Sequence, residues 1–192
     1  MLETLLQLDQ KIAHVVNQTL SNEILSLFFP IITDIHKNIF FSIPAACLIL
    51  YFLIKKYGKL GIIHFFCFAC SIGLSDFTGS IIKKQFNRPR PFTQHELKIE
   101  QRSPAQPKKS FYSNHSSNSF AIANYLSFVF PPGKTIYFAL ATTIAYSRVY
   151  NGVHYPSDIL AGALMGLLIS YLFYQLAQYL KKYTVQSKGK KI

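Results

Sequence analysis

Apolar residues fall in long blocks separated by short polar turns and by one long polar stretch. Over residues 1–20, Leu5, Leu8, Ile12 and Val15/Val16 recur at helical spacing among Gln7, Lys11 and Asn17. That pattern predicts an amphipathic helix lying in a membrane interface. Ser21 or Asn22 is placed to cap a short helix over 23–33, bent at Pro30. Asp34 to Asn38, with His36 and Lys37, reads as a polar turn. Further helices are predicted over 39–54 (kinked at Pro44), 60–82, 114–130, 135–150 and 157–180. Pro131-Pro132-Gly133-Lys134 is a turn between two of them. The pattern is that of an all-α protein, a polytopic membrane bundle of about five to six membrane helices plus the N-terminal interfacial helix. All of it forms one domain over 1–192, with an extramembrane loop over 83–113 and a basic tail over 181–192.

Composition agrees with a membrane protein. Half of the 192 residues are hydrophobic, and mean hydropathy is +0.22. The net charge of +12 comes from basic residues between and after apolar blocks. There they meet anionic headgroups or a phosphorylated lipid, so nucleic acid is not an expected partner. If every block crosses, Lys55, Lys56, Lys59, Lys134 and the terminal lysines share one side, which the positive-inside rule makes cytoplasmic. Cys67 and Cys70 form a C-x-x-C with no second pair, better read as packing residues than as a metal or redox site. Glu3 and Asp9 stand where a cleavable signal peptide would carry basic residues. Asp76, inside an apolar block, is expected to face protein or water, pairing structurally or sharing in a site.

Three polar stretches are predicted on the opposite rim, and their residue types suit one chemistry. Ser147 to Asp158 carries an arginine, a histidine and an aspartate at fixed intervals. Arg148 offers a planar charged fork for phosphate. Asp158, four residues after His154, can take one imidazole N–H and leave the other nitrogen free to attack. Lys83 and Arg90 lie at the start of the long loop, and Ser113 to His115 open the next helix. The three cations can surround a phosphoryl group, helix N-terminal N–H groups add donors, and His115 can protonate the leaving oxygen. No residues stand at metal-ligand spacing, so the cations would do the work that Mg²⁺ does elsewhere; no metal and no cofactor is expected.

Those stretches resemble the signature of the type 2 phosphatidic acid phosphatase (PAP2) superfamily, K-x6-R-P, P-S-G-H and S-R-x5-H-x3-D. The first matches at Lys83, Arg90 and Pro91, and the third at Ser147, Arg148, His154 and Asp158. The second keeps Ser113 and His115 but has Tyr112 for proline and Asn114 for glycine. The resemblance implies that His154 forms a phosphohistidine oriented by Asp158, with His115 as general acid and then base. Lys83, Arg90, Ser113, Asn114 (at the glycine position) and Arg148 would hold the phosphate. Arg88 lies outside the matched positions and is either a contact to a second phosphate or headgroup or a solvated charge. Ser147 is the weakest catalytic candidate, since such hydroxyls often bond backbone.

The implied protein is a metal-independent phosphatase of a bacterial inner membrane, with its site facing the periplasm or exterior. Its substrate would be a lipid phosphate or pyrophosphate, with undecaprenyl pyrophosphate or a lipid A phosphate favoured. A lipid-to-lipid phosphotransferase would use the same residues, and a non-catalytic lipid-phosphate binder is the third reading. Oligomeric state is left open.

Overall fold

The computed structural model describes residues 2–35 and 38–189. His36, Lys37, Lys190 and Lys191 therefore lie outside the described residues. Every predicted helix is present, and no strand occurs among the described residues. The elements are α1 (Leu2–His14), running into a π turn at Val15–Thr19, α2 (Glu23–Asp34), α3 (Ile39–Tyr57), α4 (Gly61–Phe86), α5 (Asn114–Val129), α6 (Lys134–Tyr150) and α7 (Pro156–Gly189). Asn22 caps α2 by accepting the Leu25 N–H at 2.9 Å, which satisfies one of the donors a helix start leaves open. Hydropathy misjudged three ends, one of them that of α3, which runs to Tyr57 rather than 54. α4 runs to Phe86 rather than 82, and α7 to Gly189 rather than 180. Lysine and glutamine favour helix as well as leucine does, so polarity alone does not stop one. α4 stops where Asn87 adopts φ 43 and its N–H turns back to Lys83 O. Lys83 is thus in the last turn of a helix, not in the loop that was expected to begin with it.

α5 is the central helix and packs against α4, α6 and α7. Small residues let it do so. A Cβ on Gly166 would sit 2.0 Å from Ser117 O, and one on Gly162 would sit 2.5 Å from Ser113 O. This G-x-x-x-G on α7 brings two backbones into contact, as small residues do between helices in lipid. On α4, His64, Phe68, Ser71, Ser75 and Gly79 form the buried stripe, and the Ser75 and Ser117 hydroxyls bond across to α5. The interior is therefore rich in small and polar groups. The outside is apolar: Ile24, Phe40, Ile62, Phe66, Phe77, Ile136, Leu164 and Leu168 are all exposed. Large apolar groups outside and hydrogen-bonded polar groups within are the distribution expected of a bundle solvated by lipid. Among the described residues, two helical stretches, Ile39–Phe86 and Pro156–Gln186, are long and apolar enough to cross a membrane, each reaching a mean hydropathy of 1.8 over 18 residues.

Lysines collect at one end of the bundle. Lys56 donates to Val129 O, and Lys181 lies 4.7 Å over the Tyr57 ring. At the other end, a cluster of Ala13, Val16, Phe29, Ile99, Val149, Tyr150 and Tyr155 joins α1, α2 and the 87–113 loop to α6. α1 turns its apolar Leu5, Leu8 and Ile12 outward and uses polar groups inward. Asn17, fully buried, donates to Glu100 O (3.0 Å) and Tyr150 O (2.7 Å) and accepts the Glu100 N–H. His14 meets Leu97 O at 2.8 Å. Arg102 and Glu100 pair with each other, and Arg102 also donates to Asn17 O at 2.7 Å. The loop is held in place because buried polar groups need partners.

Candidate active site

Five helix ends meet at that second end: the C-terminal turns of α2, α4 and α6, and the N-terminal turns of α5 and α7. The α6–α7 turn delivers the histidine. Val153 N–H and His154 N–H both return to Arg148 O at 3.2 Å, and Gly152 reverses the chain at φ 73. A Cβ there would lie 2.3 Å from Glu100 O, so both the left-handed φ and the close approach require glycine. His154 ends up 2% exposed. Its Nδ1 faces Asp158 Oδ2 at 3.4 Å, and its Nε2 lies 3.1 Å from a terminal nitrogen of Arg90. Arg90 can only donate, so Nε2 is the acceptor and Nδ1 carries the proton. That tautomer puts the lone pair toward the cations.

Arg90 also donates to Val153 O at 2.6 Å, which fixes it beside the histidine. Arg148 donates to Thr33 Oγ1 of α2 at 2.8 Å. The Nε groups of both arginines are buried with no hydrogen-bond partner among the described residues. Each such orphan donor costs about 1–3 kcal/mol, and an anion is the ligand that would relieve both. Lys83, Arg90 and Arg148 lie close enough to repel one another. Burial, opposed by Asp158 and reinforced by Arg90 and Arg148, pushes the His154 imidazole down to about 3. Burial also lowers Arg90, with Asp158 in partial opposition.

Ser113 caps α5 by accepting the Ser116 N–H, and its own N–H donates to Asp158 O at 3.1 Å. The first turns of α5 and α7 are thereby locked together. The two departures in the second motif pack on Gly79 of α4, where a Cβ would meet both Asn114 Oδ1 and the Tyr112 ring. Asn114 is helical from the start, so the conformational freedom of the usual glycine is not used. Its side-chain oxygen accepts from Lys83, and its amide donates to Asp76 Oδ1 at 2.7 Å. Asp76 thus reaches the site through Asn114 and Lys83. His115 Nε2 lies 3.4 Å from Asp34 Oδ1, so the end of α2 touches both His115 and Arg148. Ser147 only donates to Ile144 O within its own helix.

Asp158 is the most heavily bonded group. Oδ2 takes the Ser110 hydroxyl and the Tyr155 N–H (2.9 Å) beside His154, and Oδ1 takes Arg88 at 2.7 Å. Arg88 is not a solvated charge: its side chain is 19% exposed and turned to two carboxylates. It bridges Asp158 and Asp9, lies 4.0 Å over the Tyr155 ring, and is held more firmly charged by those carboxylates although burial works against it. Sequence reasoning missed Asp9, Asp34 and Ser110. The doubled R-P-R-P was the one local hint at Arg88; the acidic residues carry no local signal. No group of three His, Cys, Asp or Glu side chains that could hold a metal ion occurs among the described residues.

Known proteins resemble this chain in sequence and in fold. Lipid A 4′-phosphatase of Bacteroides thetaiotaomicron is 30% identical over 143 residues, covering 70% of this chain and 64% of that protein. Undecaprenyl-diphosphatase of Sulfolobus acidocaldarius is 32% identical over 138 residues, 70% of this chain and 62% of that one. The chain thus spans a little under two thirds of the length of these relatives. The crystal structure of Aquifex aeolicus LpxE superposes with TM-score 0.71 at 26% identity, covering 86% of this chain and 93% of that one. The transmembrane PAP2 type phosphatidylglycerolphosphate phosphatase of Bacillus subtilis, at 23% identity and TM-score 0.70, shares the fold over 92% of this chain and 87% of that one. The PAP2 superfamily profile matches residues 64–182, from α4 into α7 and across all three motifs, and the chain belongs to that superfamily.

Proposed function

We propose that this protein is an integral-membrane phosphatase that hydrolyses a lipid phosphate or pyrophosphate through a phosphohistidine. The observation that carries the reading is His154, with Nδ1 on Asp158 and Nε2 facing cations whose buried donors lack partners. The Nε2 lone pair attacks phosphorus, and the bond to the lipid oxygen breaks as His115 gives that oxygen its proton. Lys83, Arg90 and Arg148, with the N–H groups at the start of α5, hold the phosphoryl oxygens as charge shifts. Ser113 sets that helix start, and Asn114 aims Lys83. Water, deprotonated by His115, then attacks phosphorus; the P–N bond breaks and inorganic phosphate leaves. The cations carry the charge without a metal, so EDTA leaves the rate unchanged.

In this reading α3 to α7 cross the bilayer, α2 reaches part way and α1 lies in the interface. The lysine-rich end is cytoplasmic, and the site opens on the periplasmic or outer face of a bacterial inner membrane. The names of the relatives support undecaprenyl pyrophosphate or a lipid A phosphate as substrate. The test is phosphate release by the purified protein from a panel of both, phosphatidylglycerol phosphate and phosphatidic acid, with and without EDTA. Release from one member names the substrate. Transfer of the phosphoryl group to another lipid, or binding without turnover, would refute hydrolysis.

Burial of His154 sets the pH behaviour. Free imidazole protonates near 6.5 and His154 only near 3. The nucleophile stays neutral in mild acid, so kcat/KM keeps its acid limb below about pH 5. An acid limb near 6.5 would mean an exposed, ordinary histidine. Stability follows the same sign. Between 6.5 and about 3 the unfolded chain binds the proton and the folded site does not, so stability declines as the pH is lowered through that window.

A further inference from the structure

The superfamily profile begins at His64, yet a residue of α1 reaches the centre of the site. Asp9 is buried. One carboxylate oxygen accepts the Ser157 N–H at 2.8 Å; the other accepts the Ser157 hydroxyl and the second terminal nitrogen of Arg88, the latter at 2.7 Å. The first terminal nitrogen of Arg88 serves Asp158 Oδ1 (2.7 Å) and Ser157 Oγ (2.8 Å). Both arms of the fork are engaged and its face is stacked, so Arg88 is not available to a phosphate. A continuous line results: Asp9, Arg88, Asp158, His154.

We propose that Asp9 and Arg88 are positioning residues for the phosphoryl-transfer site, holding the Asp158 carboxylate at the angle that keeps Oδ2 on His154 Nδ1–H. This rests on the phosphohistidine reading above. The need for such a brace is visible at Oδ2. Three donors share that oxygen, and the His154 contact is the longest, at 3.4 Å against 2.9 Å for the Tyr155 N–H. The terminal torsion of an aspartate is soft, so without a partner at Oδ1 the carboxylate can turn toward Ser110 and Tyr155 and leave the imidazole. Arg88 supplies that partner. It stands on a loop directly after the left-handed Asn87, among cations that would attract the same phosphate. Asp9 binds its other arm and prevents it from swinging into the pocket. A bidentate fork suits a bridge between two carboxylates; a lysine ammonium does not.

The experiment is a double-mutant cycle on the full chain in nanodiscs, using the panel substrate that the wild type turns over fastest, with ¹⁵N spectra of the histidine rings recorded in parallel. Asp9→Asn keeps the shape and the acceptor for the Ser157 N–H but loses the charge on Arg88. It lowers kcat by about 10-fold with KM unchanged, Asp9→Glu restores most of the loss, and Arg88→Ala costs about 10²-fold, the scale of a misplaced catalytic group. Asp9→Asn then adds less than about 2-fold in the Arg88→Ala background, because the two act as one unit. The His154 Nδ1–H signal weakens in each single variant.

A wild-type kcat in Asp9→Asn overturns the proposal. So does an equal loss with and without Arg88, which would mean that Asp9 acts only by capping α7. If Asp9→Asn loses its cooperative melt, Arg88→Lys decides instead, and a wild-type kcat there overturns it. If the wild type turns over no panel member, the phosphatase reading fails separately. The ring spectra then decide the bracing alone, and an unchanged His154 signal in Asp9→Asn refutes it.

Discussion

His154→Ala lowers phosphate release by about 10⁴–10⁶-fold, the loss seen when a nucleophile that acts as part of a unit is removed. Nothing nearby replaces it. His115 is turned to Asp34, Ser147 is tied to its own helix, and Ser113 is a helix cap. The pocket itself survives the substitution. Arg90 keeps its bond to Val153 O, and Arg148 keeps Thr33, so the variant still binds the anion and KM changes little. Residual rate then measures what the cations alone achieve with water as nucleophile. Two readouts separate this from a folding defect. Brief mixing with labelled substrate leaves acid-labile phosphate on the wild type and none on His154→Ala, and added imidazole partly restores turnover in the space vacated. A residual rate within about 10²-fold of wild type would instead assign His154 to general acid–base work, at the bottom of the 10²–10⁴-fold range typical of it, and sink the covalent intermediate.

Much of this was legible before any coordinates. The apolar blocks marked every helix, Ser21 or Asn22 was readable as a cap (the structure selects Asn22), and the spacing of His154 and Asp158 put them one turn apart. The motif residues do converge: the ends of α4, α5, α6 and α7 carry Lys83, Ser113, Arg148 and Asp158 to one rim. What could not be read has three physical causes. Hydropathy reports where lipid lies, not where a helix stops, so the polar last turns of α4 and α7 were missed. Long-range partners leave no local trace. Asp9 and Asp34 are single acids far along the chain from Asp158 and His115, and only the packing of α1 and α2 against the site selects them. Finally, a departure from a motif has no meaning without its neighbour. Asn114 in place of glycine reads as a loss until Gly79 on α4 is seen to make room for it, and Lys83 is seen to use its carbonyl. The G-x-x-x-G at Gly162 and Gly166 emerges only from the packing, where it fixes the approach of α5 to α7 that brings Ser113 to Asp158.

Asp158→Asn is expected to be nearly as damaging as loss of the nucleophile, and for a different reason. Every group around the carboxylate is a donor: Arg88 at Oδ1, and Ser110, the Tyr155 N–H and His154 Nδ1 at Oδ2. An amide offers one acceptor and one donor group. With its oxygen at the Oδ2 position, its NH₂ points at the Arg88 guanidinium, donor against cation. Turned over, it faces the imidazole, which must then present an acceptor at Nδ1 and carry its proton on Nε2. In that tautomer the attacking lone pair is gone. The corresponding change in serine proteases costs about 10⁴-fold in kcat, and the same order is expected here with KM little altered. Stability falls too, because Arg88 is left with one carboxylate, Asp9, in place of two. The two effects separate by adding Arg88→Ala. Removing that cation recovers part of the melting temperature but none of the rate, because a neutral amide without the Arg88 brace neither holds the Nδ1–H nor balances the positive charge that grows on the imidazole as the P–N bond forms. Recovery of rate along with stability would show that Asp158 serves to neutralise Arg88 and does not orient His154.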